Sequence, residues 1–221
     1  MSLKVTVGIL DTGASNLFSI ANALKSLGAN VRVINNSNQT KHCDRIIIPG
    51  VGAYKPAMAH LDSKGITSDI IEFAASGKPV LGVCLGMQLL MDTSLEHGHT
   101  RGFGLVSGSV IPVSDLYADG RQVRVPHIGW SKVLMHGDNN PLNHLREIEF
   151  PKDFYFAHSF TVLPSSREIV IGTVEYAGAQ MVAAFHQANI LGVQFHPELS
   201  GANGLQLLNN FLNGSIPVET S

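Results

Sequence analysis

Apolar residues show two different kinds of spacing along the first half of the chain. Continuous apolar runs predict buried strands, whereas apolar residues spaced three or four apart predict helices. The predicted strands cover residues 4–10, 29–34, 45–48 and 79–83, and the predicted helices cover 16–26, 66–75 and about 85–91. Strands that alternate with helices in this way favour a parallel sheet with helices on both faces.

The second half is dominated by short strands separated by turns. Predicted strands lie at 104–113, 121–125, 130–134, 154–157, 168–175, 181–185 and 190–194, with turns at 137–141 and 177–179 and a last helix at 204–212. The whole pattern predicts an α/β fold with a flavodoxin-like, doubly wound and mostly parallel sheet and an antiparallel β elaboration in the C-terminal half. We expect a single domain over 1–214 and a frayed tail over 215–221.

Composition narrows the classes of function. Hydrophobic residues make up 44% of the 221 residues and charged residues 14%, so the chain has enough apolar material for a packed core. The net charge is −2 without a basic block, so neither nucleic acid nor a membrane is an expected partner. Two cysteines, Cys43 and Cys84, cannot build a disulfide framework, and a cytoplasmic location is expected. No metal or cofactor is expected.

The most informative segment surrounds Cys84, which lies in a Gly-x-Cys-x-Gly pattern between a predicted strand and a predicted helix. A sharp strand-to-helix turn lifts a nucleophile clear of the sheet, and it needs small neighbours, here Gly82 and Gly86. The helix N-terminus favours a thiolate, and the N–H of Leu85 points at a developing oxyanion. The alternative is a buried, inert cysteine, which is how we interpret Cys43.

A thiol nucleophile needs a base, and the base needs an orienting acceptor. His196 follows a predicted strand and is separated from Glu198 by Pro197. Residues two apart in extended backbone face the same side, so the carboxylate can reach the imidazole. The alternative is a surface turn without a catalytic partner.

Two of these segments resemble signature blocks of the class I (triad-type) glutamine amidotransferases. They are Gly-Val-Cys-Leu-Gly-Met-Gln at 82–88 and Gly-Val-Gln-Phe-His-Pro-Glu at 192–198. The oxyanion-strand motif Pro49, Gly50, Val51 and Gly52 resembles the form in the glutaminase subunit of imidazole glycerol phosphate synthase. Further segments similar to that subfamily are 11–13 with Asn16, 82–90, 125–130 and 154–160, so the resemblance covers essentially the whole chain.

The resemblance implies a reaction and a set of site residues. Cys84 would attack the side-chain amide of glutamine, and His196, held by Glu198, would protonate the leaving ammonia. The glutamyl thioester is then hydrolysed to glutamate. The positions that the resemblance assigns to substrate binding are Gly52, Leu85, Gln88, Glu96 and Ser159.

The resemblance also implies a partner, a cyclase subunit with a (β/α)8 barrel fold that receives the ammonia. That subunit makes imidazole glycerol phosphate and an aminoimidazole carboxamide ribonucleotide in histidine biosynthesis. Asn16, His127 and Trp130 match segments that face the cyclase, and the chain alone is expected to be a poor glutaminase. Because Pro49–Gly52 contains two glycines, a backbone flip there is sterically cheap, and we hypothesise that the partner sets the orientation of the Val51 N–H.

Two positions depart from the subfamily. Ser131 stands where Asn is usual, and Leu199 stands where a basic residue is usual. Both lie near the expected partner face, so the identity of the ammonia acceptor is open. One alternative is a paralogous glutaminase that supplies a cyclase-like partner in the biosynthesis of amidino sugars for surface polysaccharides. Two others are a cysteine hydrolase that acts alone and a binding module with an inert cysteine.

Overall fold

The computed structural model describes residues 5–13, 17–117, 123–137 and 153–214. Within these ranges the structure contains two sheets and five α-helices. In chain order the strands are β1 (Thr6–Leu10), β2 (Asn30–Ile34), β3 (Arg45–Ile48), β4 (Val80–Val83), β5 (Met91–Ser94), β6 (Thr100–Arg101), β7 (Val106–Pro112), β8 (His127–Met135), β9 (Asp153–His158), β10 (Phe160–Pro164), β11 (Val170–Tyr176), β12 (Ala179–Gln187) and β13 (Ile190–Val193). The helices are α1 (Leu17–Ser26), α2 (Tyr54–Ser63), α3 (Ile66–Ala75), α4 (Leu85–Leu89) and α5 (Gly201–Leu212).

The larger sheet has the order β2-β1-β3-β4-β13-β12-β11-β8-β9 among the described residues. Neighbouring strands from β2 to β13 are parallel, and those from β13 to β9 are antiparallel. The smaller sheet has the order β10-β7-β5-β6. The predicted α/β class, with a parallel first half and an antiparallel elaboration in the second, is therefore confirmed.

Apolar cores lie on both faces of the parallel strands. In β3, Ile47 packs in one core while Ile46 and Ile48 pack in the other, because successive side chains of a strand point to opposite faces. Helices α1 and α5 cover the first core, and helices α2 and α3 cover the second. The smaller sheet packs on the second core as well, through residues such as Val110.

The parallel strands direct three loops to one edge of the sheet. Strands β3, β4 and β13 are neighbours, and residue 49, Cys84 and residue 194 directly follow them. In open parallel sheets, binding sites form outside the carboxyl ends of the strands. The oxyanion-strand motif, the cysteine and the His-Pro-Glu segment therefore meet at one place.

Some predicted elements were wrong. The helix predicted over 85–91 ends at Leu89, and β5 begins at Met91. The chain leaves the helix because the carbonyls of Leu89 and Leu90 accept the N–H groups of Phe103 and Val106 instead of those of a further helical turn. Helix α2 and strands β5, β6 and β10 were not predicted.

The strand predicted over 121–125 is also not formed in its described part, 123–125. There the carbonyl of Arg124 accepts a hydrogen bond from the Tyr176 hydroxyl rather than from a neighbouring strand. Residues 121–122, most of the turn predicted at 137–141, and the tail 215–221 lie outside the described residues.

Candidate active site

Cys84 occupies a strained turn between β4 and α4. Its φ angle is +52°, in a region that residues with a side chain rarely adopt. Small neighbours make the turn possible: a Cβ on Gly86 would lie 1.6 Å from the Ile48 carbonyl oxygen, and one on Gly82 would lie 2.8 Å from the Gly86 oxygen. The sharp turn that the sequence predicted at Cys84 is confirmed.

The Cys84 side chain is 5% exposed and lies among polar groups. Its sulfur is 3.5 Å from Nε2 of Gln194, which donates to it, and 3.8 Å from the carbonyl oxygen of Ala157. The Cys84 backbone N–H donates to the Val193 carbonyl at 2.8 Å, which joins the turn to the end of β13.

His196 and Glu198 form a buried pair beside the cysteine. Nδ1 of His196 lies 2.9 Å from Oε1 of Glu198, so Nε2 is the nitrogen left for Cys84. Within the described ranges Nε2 has no partner in ordinary hydrogen-bond geometry. Burial by itself disfavours the imidazolium, but the interactions with Cys84 and Glu198 outweigh it and raise the pKa of His196 to about 10.

Backbone contacts hold the His-Pro-Glu segment against β9. The N–H of His196 donates to the Tyr155 carbonyl at 2.8 Å, and the Ser200 hydroxyl donates to the carbonyl of His196. The N–H of Tyr155 in turn donates to the Ser200 hydroxyl oxygen at 3.0 Å. Several hydrogen bonds therefore fix the position of the imidazole.

The oxyanion strand lies directly over the turn at Cys84. The N–H of Leu85 donates to the carbonyl oxygen of Gly50 at 3.3 Å. Since the C=O and N–H of a trans peptide point in opposite directions, the N–H of Val51 points away from this position. The Leu85 donor is therefore already engaged, and the Val51 donor is turned elsewhere.

A cavity of about 300 Å³ opens at the cysteine. The five residues that the resemblance assigned to substrate binding, together with Val51 of the oxyanion strand, all line it with Cys84; they are Gly52, Leu85, Gln88, Glu96 and Ser159. His196, which interacts with Cys84, and Glu198 are not among the residues that line the cavity. The structure thus brings the candidate nucleophile and the five candidate substrate-binding residues together around one cavity.

Two of the polar lining residues have further contacts. Nε2 of Gln88 donates to the Phe160 carbonyl at 3.1 Å and to Oε1 of Gln194 at 3.3 Å. Oε2 of Glu96 accepts the N–H of Tyr54 at 2.7 Å, at the start of α2. Glu96 therefore connects the cavity to the first turn of a helix.

The residues that were expected to face a partner differ in their exposure to solvent. Trp130 is 58% exposed, whereas His127 is 2% exposed and does not itself form the surface. His127 contacts His158 through Nδ1 at 3.1 Å and the Ser131 hydroxyl through Nε2 at 2.9 Å, and burial lowers its pKa. Asn16 lies outside the described residues.

Sequence reasoning missed Gln194 and His158. Gln194 lies within the block that resembles the family, but no pattern in the sequence distinguishes a buried amide aimed at the sulfur from an ordinary end of a strand. His158 donates through Nδ1 to the Phe160 carbonyl at 2.8 Å, and burial lowers its pKa to about 4. Its position became visible only when β8 and β9 were paired.

Comparison with known proteins agrees with this geometry. The chain belongs to the class-I glutamine amidotransferase family, whose model matches residues 8–214. It is 37% identical over 209 residues to the imidazole glycerol phosphate synthase subunit HisH 1 of Legionella pneumophila (strain Lens), covering 94% of this chain and 98% of that protein. It is 40% identical over 207 residues to subunit HisH of Moorella thermoacetica, covering 93% of each.

The fold is also similar to solved structures of low sequence identity. The structure of PurLQS from Thermotoga maritima contains a chain that matches with a TM-score of 0.73 and 19% identity, covering 96% of this chain and 99% of that chain. The crystal structure of another glutamine amidotransferase from Thermotoga maritima matches with a TM-score of 0.66 and 15% identity, covering 98% of this chain and 99% of that chain.

The described part of the chain contains no helix that is long and apolar enough to cross a membrane. No group of three or more His, Cys, Asp or Glu side chains in the same ranges is placed to hold a metal ion. Cys43 and Cys84 are both free and buried.

Proposed function

We propose that the chain is the glutaminase subunit of an imidazole glycerol phosphate synthase, acting in the cytoplasm. It hydrolyses glutamine to glutamate and passes the ammonia to a cyclase subunit with a (β/α)8 barrel fold. The observation that carries the proposal is the strained Cys84 in the lining of a cavity, beside the His196–Glu198 pair, whose Nδ1 and Oε1 atoms are 2.9 Å apart. Relatives named as subunits of that synthase, similar over nearly the whole chain, support the choice of acceptor.

The chemistry follows from the order of the three side chains. The Cys84 thiolate attacks the amide carbon of glutamine, and the carbonyl oxygen becomes an oxyanion. When the C–N bond breaks, the imidazolium of His196 gives its proton to the departing amide nitrogen, which leaves as ammonia. A glutamyl thioester remains, and neutral His196 then takes a proton from the water that hydrolyses it. Glu198 holds the imidazole in the required tautomer throughout.

The lining of the cavity suits the free amino acid. The carboxylate of Glu96 matches the α-ammonium group of glutamine in charge, and Gln88, four residues after Cys84 on the same face of α4, offers an amide. Backbone groups near Gly52 and Ser159 remain for the α-carboxylate. Discrimination against asparagine then follows from the distance between these groups and the sulfur.

Partner dependence is explained by the oxyanion strand. The Leu85 N–H, which stabilises the oxyanion in this chemistry, is held by the Gly50 carbonyl at 3.3 Å. Rotation of the Gly50–Val51 peptide removes that carbonyl and turns the Val51 N–H toward the site. Val51 is partly exposed, so a partner that contacts it can drive the rotation.

The surface of this chain that we propose to bind the cyclase subunit surrounds the mouth of the cavity. Ile128 lines the mouth and is exposed, and Trp130, two residues further along β8, faces the same side. The two departures from the subfamily affect this surface differently. The Ser131 hydroxyl contacts His127 within the chain, whereas Leu199 is exposed and presents an apolar side chain to the partner.

A glutaminase assay with and without the cyclase and its ribonucleotide substrate tests the proposal. We expect slow turnover by the chain alone, strong stimulation by the complete mixture, and loss of activity in Cys84→Ala and in His196→Ala. Stimulation by an amidino-sugar cyclase-like protein instead would identify the other acceptor.

The partner-dependent rotation of the oxyanion strand and the chemistry of the triad are refuted by different results. Turnover by the chain alone at the stimulated rate would refute the role of the oxyanion strand while leaving the triad intact. Turnover that survives in Cys84→Ala would refute the mechanism.

A further inference from the structure

Gln194 is a buried polar side chain that contacts the sulfur of the candidate nucleophile and that the proposed reaction does not use. It is 0% exposed, and both ends of its amide are engaged. Nε2 lies 3.5 Å from the sulfur of Cys84, and Oε1 lies 3.3 Å from Nε2 of Gln88. A buried amide with partners at both ends is fixed in place, because any other rotamer leaves polar atoms unsatisfied.

The orientation of this amide is fixed by its neighbours. The carbonyl of Phe160 can only accept hydrogen bonds, so the NH₂ end of Gln88 must face it. The same NH₂ group also faces Gln194, which must therefore present its oxygen to Gln88. That leaves the NH₂ end of Gln194 directed at Cys84.

The Phe160 carbonyl is itself held in position. It accepts from Nδ1 of His158 at 2.8 Å as well as from Gln88, so both of its lone pairs are used. The pKa of His158 is lowered to about 4 by burial, so at neutral pH this ring is uncharged. The donor and acceptor of each hydrogen bond between His158 and the sulfur are therefore fixed. The last group in this series, the amide of Gln194, presents an N–H to the sulfur.

A donor on sulfur distinguishes the two protonation states of the cysteine. The thiolate accepts the N–H of Gln194 with a full negative charge, whereas the thiol is only a weak, neutral acceptor for the same N–H. Hydrogen bonds to a charged acceptor are stronger than those to a neutral one, so the contact favours the thiolate. The contact also restricts rotation of the sulfur.

We propose that Gln194 is a positioning residue for the nucleophile, whose amide donates to the Cys84 sulfur, stabilises the thiolate and holds it toward the cavity. The inference rests on the proposed role of Cys84. It assigns the thiolate a second stabilising contact besides the imidazolium of His196.

The titratable groups near the sulfur must be held constant in a test. They are His196 with Glu198 behind it, His158 on β9, and Glu96 across the cavity. Helix α4 carries no titratable side chain. Gln194→Met changes none of these groups, keeps the length of the side chain and removes both hydrogen bonds.

The measurement is the rate of alkylation of Cys84 by iodoacetamide between about pH 5 and 10, followed by peptide mapping. We expect Gln194→Met to raise the midpoint of the profile by about one pH unit, and to slow alkylation about tenfold below it. Gln194→Glu places an acceptor against the sulfur and should raise the midpoint further. The matched control is Gln187→Met, at an exposed position at the end of β12, with an unchanged midpoint.

The outcomes separate the two proposals. An unchanged midpoint in a folded Gln194→Met protein would overturn the positioning role alone, because Met fills the same space. Alkylation of Cys84 no faster than that of Cys43 in the unaltered protein would overturn the proposed function and this inference with it.

A second measurement needs no substitution at Gln194. In the unaltered protein, the side-chain amide NMR resonances of Gln194 should titrate with the alkylation midpoint of Cys84. The titration should disappear in Cys84→Ala. Resonances that do not move through that pH range would overturn the inference even if Gln194→Met did not fold.

Discussion

At the scale of single residues, the two cysteines differ by their neighbours rather than by their burial. Both are buried, and burial raises the pKa of the Cys43 thiol. Cys84 instead has a strained φ of +52°, an amide donor at 3.5 Å and the His196 imidazole beside it. These neighbours, rather than its burial, distinguish Cys84 as the candidate nucleophile.

The raised pKa of His196 determines the basic limb of the pH profile. In the proposed reaction its imidazolium donates a proton to the departing amide nitrogen, so partner-stimulated turnover should persist until the pH approaches about 10. Glu198→Gln removes one of the interactions that raise this pKa, so the falling limb should move to lower pH. We also expect kcat to fall about 100-fold, at the lower end of the range for general acid–base catalysis.

The matched control for this prediction is Glu168→Gln, which removes the same charge from an exposed position before β11. Its pH profile should equal that of the unaltered protein. A profile whose basic limb stays in place in Glu198→Gln would contradict the assigned pairing.

Sequence reasoning was strongest for side chains that neighbour one another along the chain. Gly82, Cys84 and Gly86 are brought together by a local turn, and His196 and Glu198 are two positions apart. Gln194 and its partner Gln88 are 106 positions apart, so only the pairing of β4 with β13 brings them into contact. The sequence therefore identified the groups that are proposed to react, but not the amide of Gln194 that contacts the sulfur.

At the scale of secondary-structure elements, the turn between β4 and α4 depends on close packing against β3. A Cβ at position 86 would meet the Ile48 carbonyl oxygen at 1.6 Å, and backbone cannot move aside as a side chain can. We expect Gly86→Ala to lower the free energy of unfolding by about 3 kcal/mol or more, measured by chemical denaturation.

Gly28→Ala separates this clash from the cost of backbone conformation. Gly28 has a φ of +87° but nothing within 4 Å of an added Cβ. Its substitution should therefore cost only about 1 kcal/mol. Equal losses in the two variants would show that the packing at position 86 has been misjudged.

Helix α2 begins at the cavity, and Glu96 contributes to both. Its carboxylate accepts the Tyr54 N–H at 2.7 Å, as a capping side chain does, and lines the cavity. Glu96→Gln should lower the free energy of unfolding by about 1 kcal/mol and raise the KM for glutamine about tenfold. Denaturation and steady-state kinetics measure the two effects.

The exposed Glu72 in α3 provides the control for this variant. Glu72→Gln should change neither quantity. If Glu96→Gln altered stability without altering KM, Glu96 would be a cap only, and its assignment to substrate binding would be wrong.

The elements that could be predicted from the sequence are those whose apolar residues follow either the strand pattern or the helix pattern without interruption. Strand β3 and helix α3 were predicted with the bounds that the structure has. Helix α2 was not predicted for two reasons. Its apolar face is short, and Pro56 lies in its first turn, where proline is tolerated although in a sequence it usually indicates the end of a helix. The smaller sheet was missed in part because β5 follows α4 after a single residue and is defined by contacts with β7.

At the scale of the whole molecule, the mouth of the cavity lies on an apolar surface. Ile128 and Trp130 are both exposed on β8. The Trp130 ring packs edge to face against the Tyr155 ring, with the two ring centroids 6.1 Å apart. Large exposed aromatic residues at the centre of an interface carry much of its binding energy. We expect Trp130→Ala to weaken the binding of the cyclase about 30-fold in a titration of stimulated activity.

An exposed apolar residue on the smaller sheet serves as the control. Leu163 on β10 is 52% exposed, and Leu163→Ala should leave cyclase binding unchanged. Full-strength binding by Trp130→Ala would move the interface away from β8. The sequence indicated the partner only through the family resemblance, because no local pattern encodes the shape of a surface assembled from separate strands and loops.

In the proposed reaction, Cys84 forms a covalent bond to the glutamyl group of glutamine. A rapid acid quench of the stimulated enzyme with isotopically labelled glutamine traps the thioester, and peptide mapping locates it. We predict label on the peptide that contains Cys84, retained in Cys43→Ala and absent in Cys84→Ala. Label on any other residue, or turnover in Cys84→Ala, would show that Cys84 is not the nucleophile.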